Sequence, residues 1–203
     1  MWVSRLEPEG DVLPTSEVLR RLAERAEAGE VSVADIADIA GRRTHAAILA
    51  LVALPEALPL PVVGMSTALS IPLIIVSAHM AAFGAGGGIP KSLERRKLPA
   101  SLVRVVAGRA SSFLKRVERI SKPRLRIVAD RSRILAAMCL LLAAVIALPI
   151  PFGNLPPAIC VLLMAVGMVQ KDGALAAAGF AGGFVILGGS VFAADYLIGF
   201  FQA

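Results

Sequence analysis

A short turn, Leu58-Pro59-Leu60-Pro61, returns ninety positions later as Leu148-Pro149-Ile150-Pro151, and its surroundings return with it. An apolar run precedes each copy, at residues 45–57 and 134–147, and another follows, at 62–83 and 152–169. Leu69 corresponds to Ile159 and Leu73 to Leu163 without a gap, so the register holds beyond the turns. A duplication limits the fold to arrangements in which a unit coexists with its own copy. Paired proline-interrupted apolar segments are, in membrane proteins, the strongest sequence pointer to a functional midplane.

Composition names the solvent. With 57% hydrophobic residues, mean hydropathy +0.75 and 18% charged residues over 203 positions, the chain is too apolar for an ordinary soluble domain and is expected in a bilayer. Cys139 and Cys160 lie inside apolar runs with no partner spacing, so they read as small buried hydrophobes, with neither a disulfide framework nor a zinc site. Residues 1–14 carry acids and prolines where a cleaved signal peptide would carry basic residues and an apolar core, so none is expected.

The expected fold class is an all-α integral membrane protein built from duplicated, proline-broken helical hairpins. Residues 1–43 should form cytoplasmic amphipathic helices, the first capped by Thr15 or Ser16 with Val18, Leu19, Leu22 and Ala26 on one stripe, the second starting at Ser32. Residues 44–88 form the first membrane hairpin and 134–173 the second. A helix over 45–57 covers only ~20 Å, short of the ~30 Å hydrocarbon core. A re-entrant dip with Pro59 and Pro61 at one vertex, and Pro149 and Pro151 at the other, accounts for that; fully spanning hairpins are the alternative. Irregular backbone at such depth must be covered by protein or face a watery cavity, and a homodimer is the simplest closed cover.

Residues 89–133 carry fourteen Lys or Arg against Glu94, Glu118 and Asp130. The positive-inside rule makes this loop, and the N-terminus with it, cytoplasmic. Within it, 99–120 reads as a basic amphipathic helix in the headgroup plane; sparse aromatics and the flanking apolar runs argue against nucleic acid as a partner. Residues 174–203 are long enough for a C-terminal transmembrane helix, with Gly179 and Gly183 in small-xxx-small register for close packing.

Leu54-Pro55-Glu56, then the first proline turn with Gly64; Glu118-Arg119 followed by Lys122-Pro123-Arg124-Leu125; the second proline turn with Phe152, Asn154 and Pro156 or Pro157; and Asp172-Gly173 together resemble the ExoD family of bacterial exopolysaccharide-synthesis membrane proteins. The resemblance covers roughly residues 41–182 and departs from the family pattern at 85–91. It implies an inner-membrane, multi-pass protein linked to exopolysaccharide production, with no settled chemistry.

An ionisable group at membrane depth is a functional hypothesis by default. Glu56, the sole formal charge between residues 44 and 88, stands one helical turn from Pro59. Its bland reading is a neutralised or interfacial acid. Asn154, near the second vertex, is a candidate binding residue whose plainer role is to satisfy carbonyls that the prolines free. Glu118, Arg119, Arg124 and Arg126 form a charge cluster on the loop helix, whose arginines alternatively bind phosphate of a headgroup or a lipid-linked substrate. His79 reads as a packing histidine and Asp172 as turn chemistry. No nucleophile elbow, phosphate loop or zinc signature is present, so neither enzymatic activity nor a metal or cofactor is expected. Three functions remain: a transporter or translocase of a lipid-linked or anionic substrate, a structural or regulatory component of a polysaccharide assembly and, behind these, a membrane-embedded enzyme acting on lipid-linked sugars. Membrane lipids and exopolysaccharide assembly proteins are the expected partners.

Overall fold

The computed structural model describes residues 15–28, 31–57, 65–86, 97–98, 116, 119, 121, 124–148 and 153–202. The proline vertices Pro59, Pro61, Pro149 and Pro151, Glu118, and nearly all of the expected 99–120 helix lie outside them.

The N-terminal helix α1, Thr15–Ala28, buries Val18, Leu22 and Ala26 at four-residue spacing and exposes Arg20, Arg21, Glu24, Arg25 and Glu27, as a one-sided apolar stripe requires. Strand β1, Val31–Ser32, leads into α2, Val33–Ala40. Ser32 caps α2: its hydroxyl accepts from the Asp35 amide at 3.2 Å, while the Asp35 carboxylate accepts from the Ser32 amide at 2.8 Å. Arg25 on α1 reaches Asp35 at 2.6 Å and joins the two helices. Strand β2, Lys97–Leu98, pairs antiparallel with β1, Val31 opposite Leu98, and ties the basic segment to this end of the chain. Apart from this two-residue ladder, the described elements are helical.

A 3-10 turn, Gly41–Arg43, feeds the bundle. Its helices are α3, Thr44–Ala57; α4, Met65–Phe83; α6, Ser132–Ala147; α7, Leu155–Gln170; and α8, Gly173–Gln202; a single turn, α5, Arg126–Ala129, precedes α6. Every residue of α3 from Thr44 to Pro55 is buried, the mark of a helix that is apolar all round and enclosed. The units cross-pair. Helix α3 packs on α7 and α4 on α6, while α3 also meets α4, and α6 meets α7. A local two-fold axis between two hairpins would generate this pairing.

Close approaches fix the directions. The start of α3 meets the last turns of α4 through His45 and His79, and Gly84, just past α4, lies against Arg133 at the start of α6. Helix α8 runs antiparallel to α7: Gly167 sits against Ala176, and Gly179 so close to the Cys160 carbonyl that a Cβ there would stand 2.7 Å from the oxygen. Gly183 instead faces Met138 and Leu142 of α6. One end of the bundle therefore gathers Arg43, Arg124, Arg126, Arg131, Arg133 and Lys171. Glu56 and Asn154 mark the other.

The stretch Gly173–Ser190 of α8 is long and apolar enough to cross a membrane; α3, α6 and α7 are apolar but shorter. Outward faces are apolar as well. Ile134, Leu141 and Leu148 are exposed at seven-residue spacing along and just past α6, Ile71 and Ile75 on α4, and Phe184, Val185 and Phe192 on α8.

Candidate functional site

The chain has two histidines, and the fold brings them together. His45 Nε2 lies 3.1 Å from His79 Nδ1. The ring planes differ by 5° and the centroids are 5.3 Å apart. That separation exceeds the N···N distance by about one ring's width, so the imidazoles meet edge to edge along an in-line N–H···N bond and do not overlap face to face. One nitrogen donates and the other accepts, so the bridge holds a single proton. His45 is buried, His79 is half-buried, and the Phe83 ring tilts over His79 at 4.8 Å.

The ninety-residue offset supplies an internal comparison. It aligns His45 with Leu135 and His79 with Val169, both 2% exposed. The same offset aligns Glu56 with buried Ile146, Ser70 with Cys160 and Ser77 with Gly167. At both aligned positions of the second copy the chain buries an aliphatic side chain. Polar groups within the bundle are concentrated in the first hairpin. Position-by-position comparison of the two copies singles out His45 and His79 in the sequence, because each stands where the other copy has an aliphatic residue.

The other expected residues fall at two ends. Glu56, in the last turn of α3, is half-buried, and eleven residues of helix put it ~16 Å from His45 along the axis. Asn154 immediately precedes α7 and keeps its Oδ1 buried without a hydrogen bond. Arg119 is exposed. Arg124 stands at the basic end, its Nε 3.7 Å from Asp172 Oδ1.

Asp172 does more than form a turn. It is 1% exposed and accepts hydrogen bonds from the Ala174 and Leu175 amides at 3.0 and 3.3 Å, capping α8, and from the Ser121 hydroxyl at 3.0 Å. The next amide, Gly173, donates to the Arg124 carbonyl at 2.8 Å. A buried carboxylate needs such partners. Here they strap the end of the basic segment onto the α7–α8 junction. Among the described residues no group of three His, Cys, Asp or Glu side chains could hold a metal ion, and Cys139 and Cys160 are free, buried thiols.

The architecture is thus a helical bundle in which α3 packs on α7 and α4 on α6, with a basic end and a polar bridge between α3 and α4. The chain belongs to the ExoD family: the family described as "Exopolysaccharide synthesis, ExoD" matches residues 15–192. It is 27% identical over 152 residues to the uncharacterized protein slr1875 of Synechocystis sp. (strain ATCC 27184 / PCC 6803 / Kazusa), covering 73% of this chain and 72% of that one. It is 23% identical over 146 residues to Protein ExoD of Rhizobium meliloti (strain 1021), covering 69% of this chain and 60% of the Rhizobium protein. No solved structure matches it.

Proposed function

We propose that the chain is a multi-pass inner-membrane protein that handles a lipid-linked or anionic substrate during exopolysaccharide synthesis, without covalent chemistry of its own. Family membership supports the process. The observation that carries the membrane reading is the outward stripe of Ile134, Leu141 and Leu148 beside exposed Ile71 and Ile75: contiguous exposed apolar surface of this kind is uncommon on soluble monomers. The fourteen steps from Ile134 to Leu148 rise ~21 Å, so the stripe is long enough to run through most of a hydrocarbon layer. The arginines at its lower rim orient that end toward the cytoplasm by the positive-inside rule.

Handling of a substrate draws on the same asymmetry. The His45–His79 bridge, Ser70, Ser77 and Glu56 concentrate polar groups in one hairpin, and ionisable groups at membrane depth mark substrate and proton paths. Glu56 and the arginines remain the groups proposed to act at either end. A homodimer across the exposed face of α8 completes the proposal.

The test uses the purified chain in proteoliposomes with a fluorescent polyprenyl-diphosphate saccharide as probe. Binding and movement between leaflets, both lost in Glu56→Gln at equal protein density, are expected. If the probe neither binds nor moves and the chain co-purifies with polysaccharide-assembly enzymes, it is a scaffold.

A further inference from the structure

Four consecutive exposed residues, Arg124, Leu125, Arg126 and Ile127, alternate guanidinium with aliphatic side chain. Leu125 is 62% exposed and Ile127 77%, the latter the most exposed large hydrophobic among the described residues. Leu125 also takes the left-handed conformation, φ 51° and ψ 42°, which a branched aliphatic residue rarely adopts. The chain is held in this shape rather than resting in it. Ser121 bonds Asp172, the Arg124 guanidinium sits beside the same carboxylate, and the Arg124 carbonyl accepts from Gly173. Gly173 admits no side chain there, since a Cβ would stand 1.9 Å from the Leu125 oxygen. Three fastenings thus hold a strained strap whose aliphatic side chains are left bare. An outlier fixed by its surroundings points to function.

The surroundings say what fits on it. Arg126, Arg131 and Arg133 are exposed nearby in the chain, with Asp130 as the exposed acid among them. The strap leads directly into α6, where Ile134 opens the apolar stripe, and Arg133 rests beside Gly84, next to exposed Phe83. A surface that is aliphatic and cationic at once matches the boundary of an anionic bilayer. Aliphatic side chains enter the acyl–glycerol layer, and planar guanidinium groups sit on phosphates.

We propose that residues 124–127 are a docking surface for anionic phospholipid headgroups. The strap inserts Leu125 and Ile127 at the rim of the stripe while Arg124 and Arg126 hold phosphate. This rests on the bilayer reading only for the strap's placement, and the test separates the two.

The full chain, with Cys139 and Cys160 replaced by alanine, carries an environment-sensitive dye at Ile127→Cys or, separately, at Leu141→Cys in the stripe. Nanodiscs of phosphatidylcholine alone and of phosphatidylcholine with phosphatidylglycerol are compared. Dye at 127 should shift to the blue only with phosphatidylglycerol, and dye at 141 in both. Titration of the detergent-solubilised chain with dihexanoylphosphatidylglycerol should show half-saturation raised roughly tenfold or more in Arg124→Gln/Arg126→Gln. Arg126→Gln alone, which leaves the Asp172 contact in place, should raise it roughly fivefold. Water-like emission from position 127 in both nanodiscs overturns the proposal, as does an equal shift in both, or a shift produced only by an added protein partner. Water-like emission from 141 with a phosphatidylglycerol-dependent shift at 127 upholds the docking surface and sinks the bilayer reading of the helices instead.

Discussion

Exchanging His45 and His79 for the residues that stand ninety positions later, leucine and valine, separates packing from function. In His45→Leu the half-buried His79 Nδ1 loses its 3.1 Å partner; in His79→Val the buried His45 ring loses this contact. A buried polar group deprived of its hydrogen bond costs about 1–3 kcal/mol. The double substitution removes both polar partners and installs the residue types that stand ninety positions later, where Leu135 and Val169 are each buried. Replacing both members by apolar groups is close to neutral, about 0–1 kcal/mol. The single costs should therefore exceed the double, with a coupling of about 1–3 kcal/mol. Unfolding in mixed micelles, followed by far-ultraviolet circular dichroism, reads all four corners of the cycle. Additive losses would refute the bridge as an energetic unit. With exopolysaccharide output measured at matched membrane levels, a double variant that is stable but silent assigns the bridge a role in function; full output leaves it to packing.

Gly173→Ala must move the Leu125 backbone and break the Gly173–Arg124 bond, so a loss of about 2–4 kcal/mol is expected, with proteolysis of the basic segment accelerated. Ser32→Ala removes the cap of α2 and should cost about 1 kcal/mol, visible as faster amide exchange over residues 33–40 while the bundle is unchanged. Hydrogen bonds from Arg20 and Arg21 hold Glu17 down to about 2, and bonds from the Ser32 backbone and hydroxyl lower Asp35. Both groups are held below their ordinary range, so their contribution is full above about pH 5 and disappears as pH falls toward 2; exchange should then rise in α1 and α2 before it rises in α3. Glu56→Gln should lower polysaccharide output at unchanged protein level, and unaltered output would remove Glu56 from the proposed mechanism.

Helices were the legible part of this fold. Apolar periodicity and local caps depend on neighbours within a few positions: the Ser32–Asp35 box and the Val18, Leu22, Ala26 stripe are visible in the sequence, and so is the all-α class. Contacts made by rotation of distant elements are not. His45 and His79 are 34 positions apart, and nothing local in either run indicates that one faces the other. Asp172 looked like a turn residue because Asp-Gly ordinarily is one; its burial depends on Ser121, 51 positions earlier, folding back over it. Glu56 and Arg124, read together as one candidate set, were separated to opposite ends by the antiparallel course of α3 through α7.

Cross-pairing sets a schedule for synthesis. The partner of α3 is α7, and 97 residues lie between Ala57 and Leu155 by their numbers. At ~5–20 residues per second that gap lasts roughly 5–20 s, during which a helix apolar on every side has left the ribosome without the surface that will enclose it. The nascent first hairpin is therefore a client of whatever machinery shelters apolar segments, and a chain released before α7 is a substrate for quality-control proteolysis. Supplying residues 124–203 as a separate polypeptide in the same cell should rescue the truncated first half.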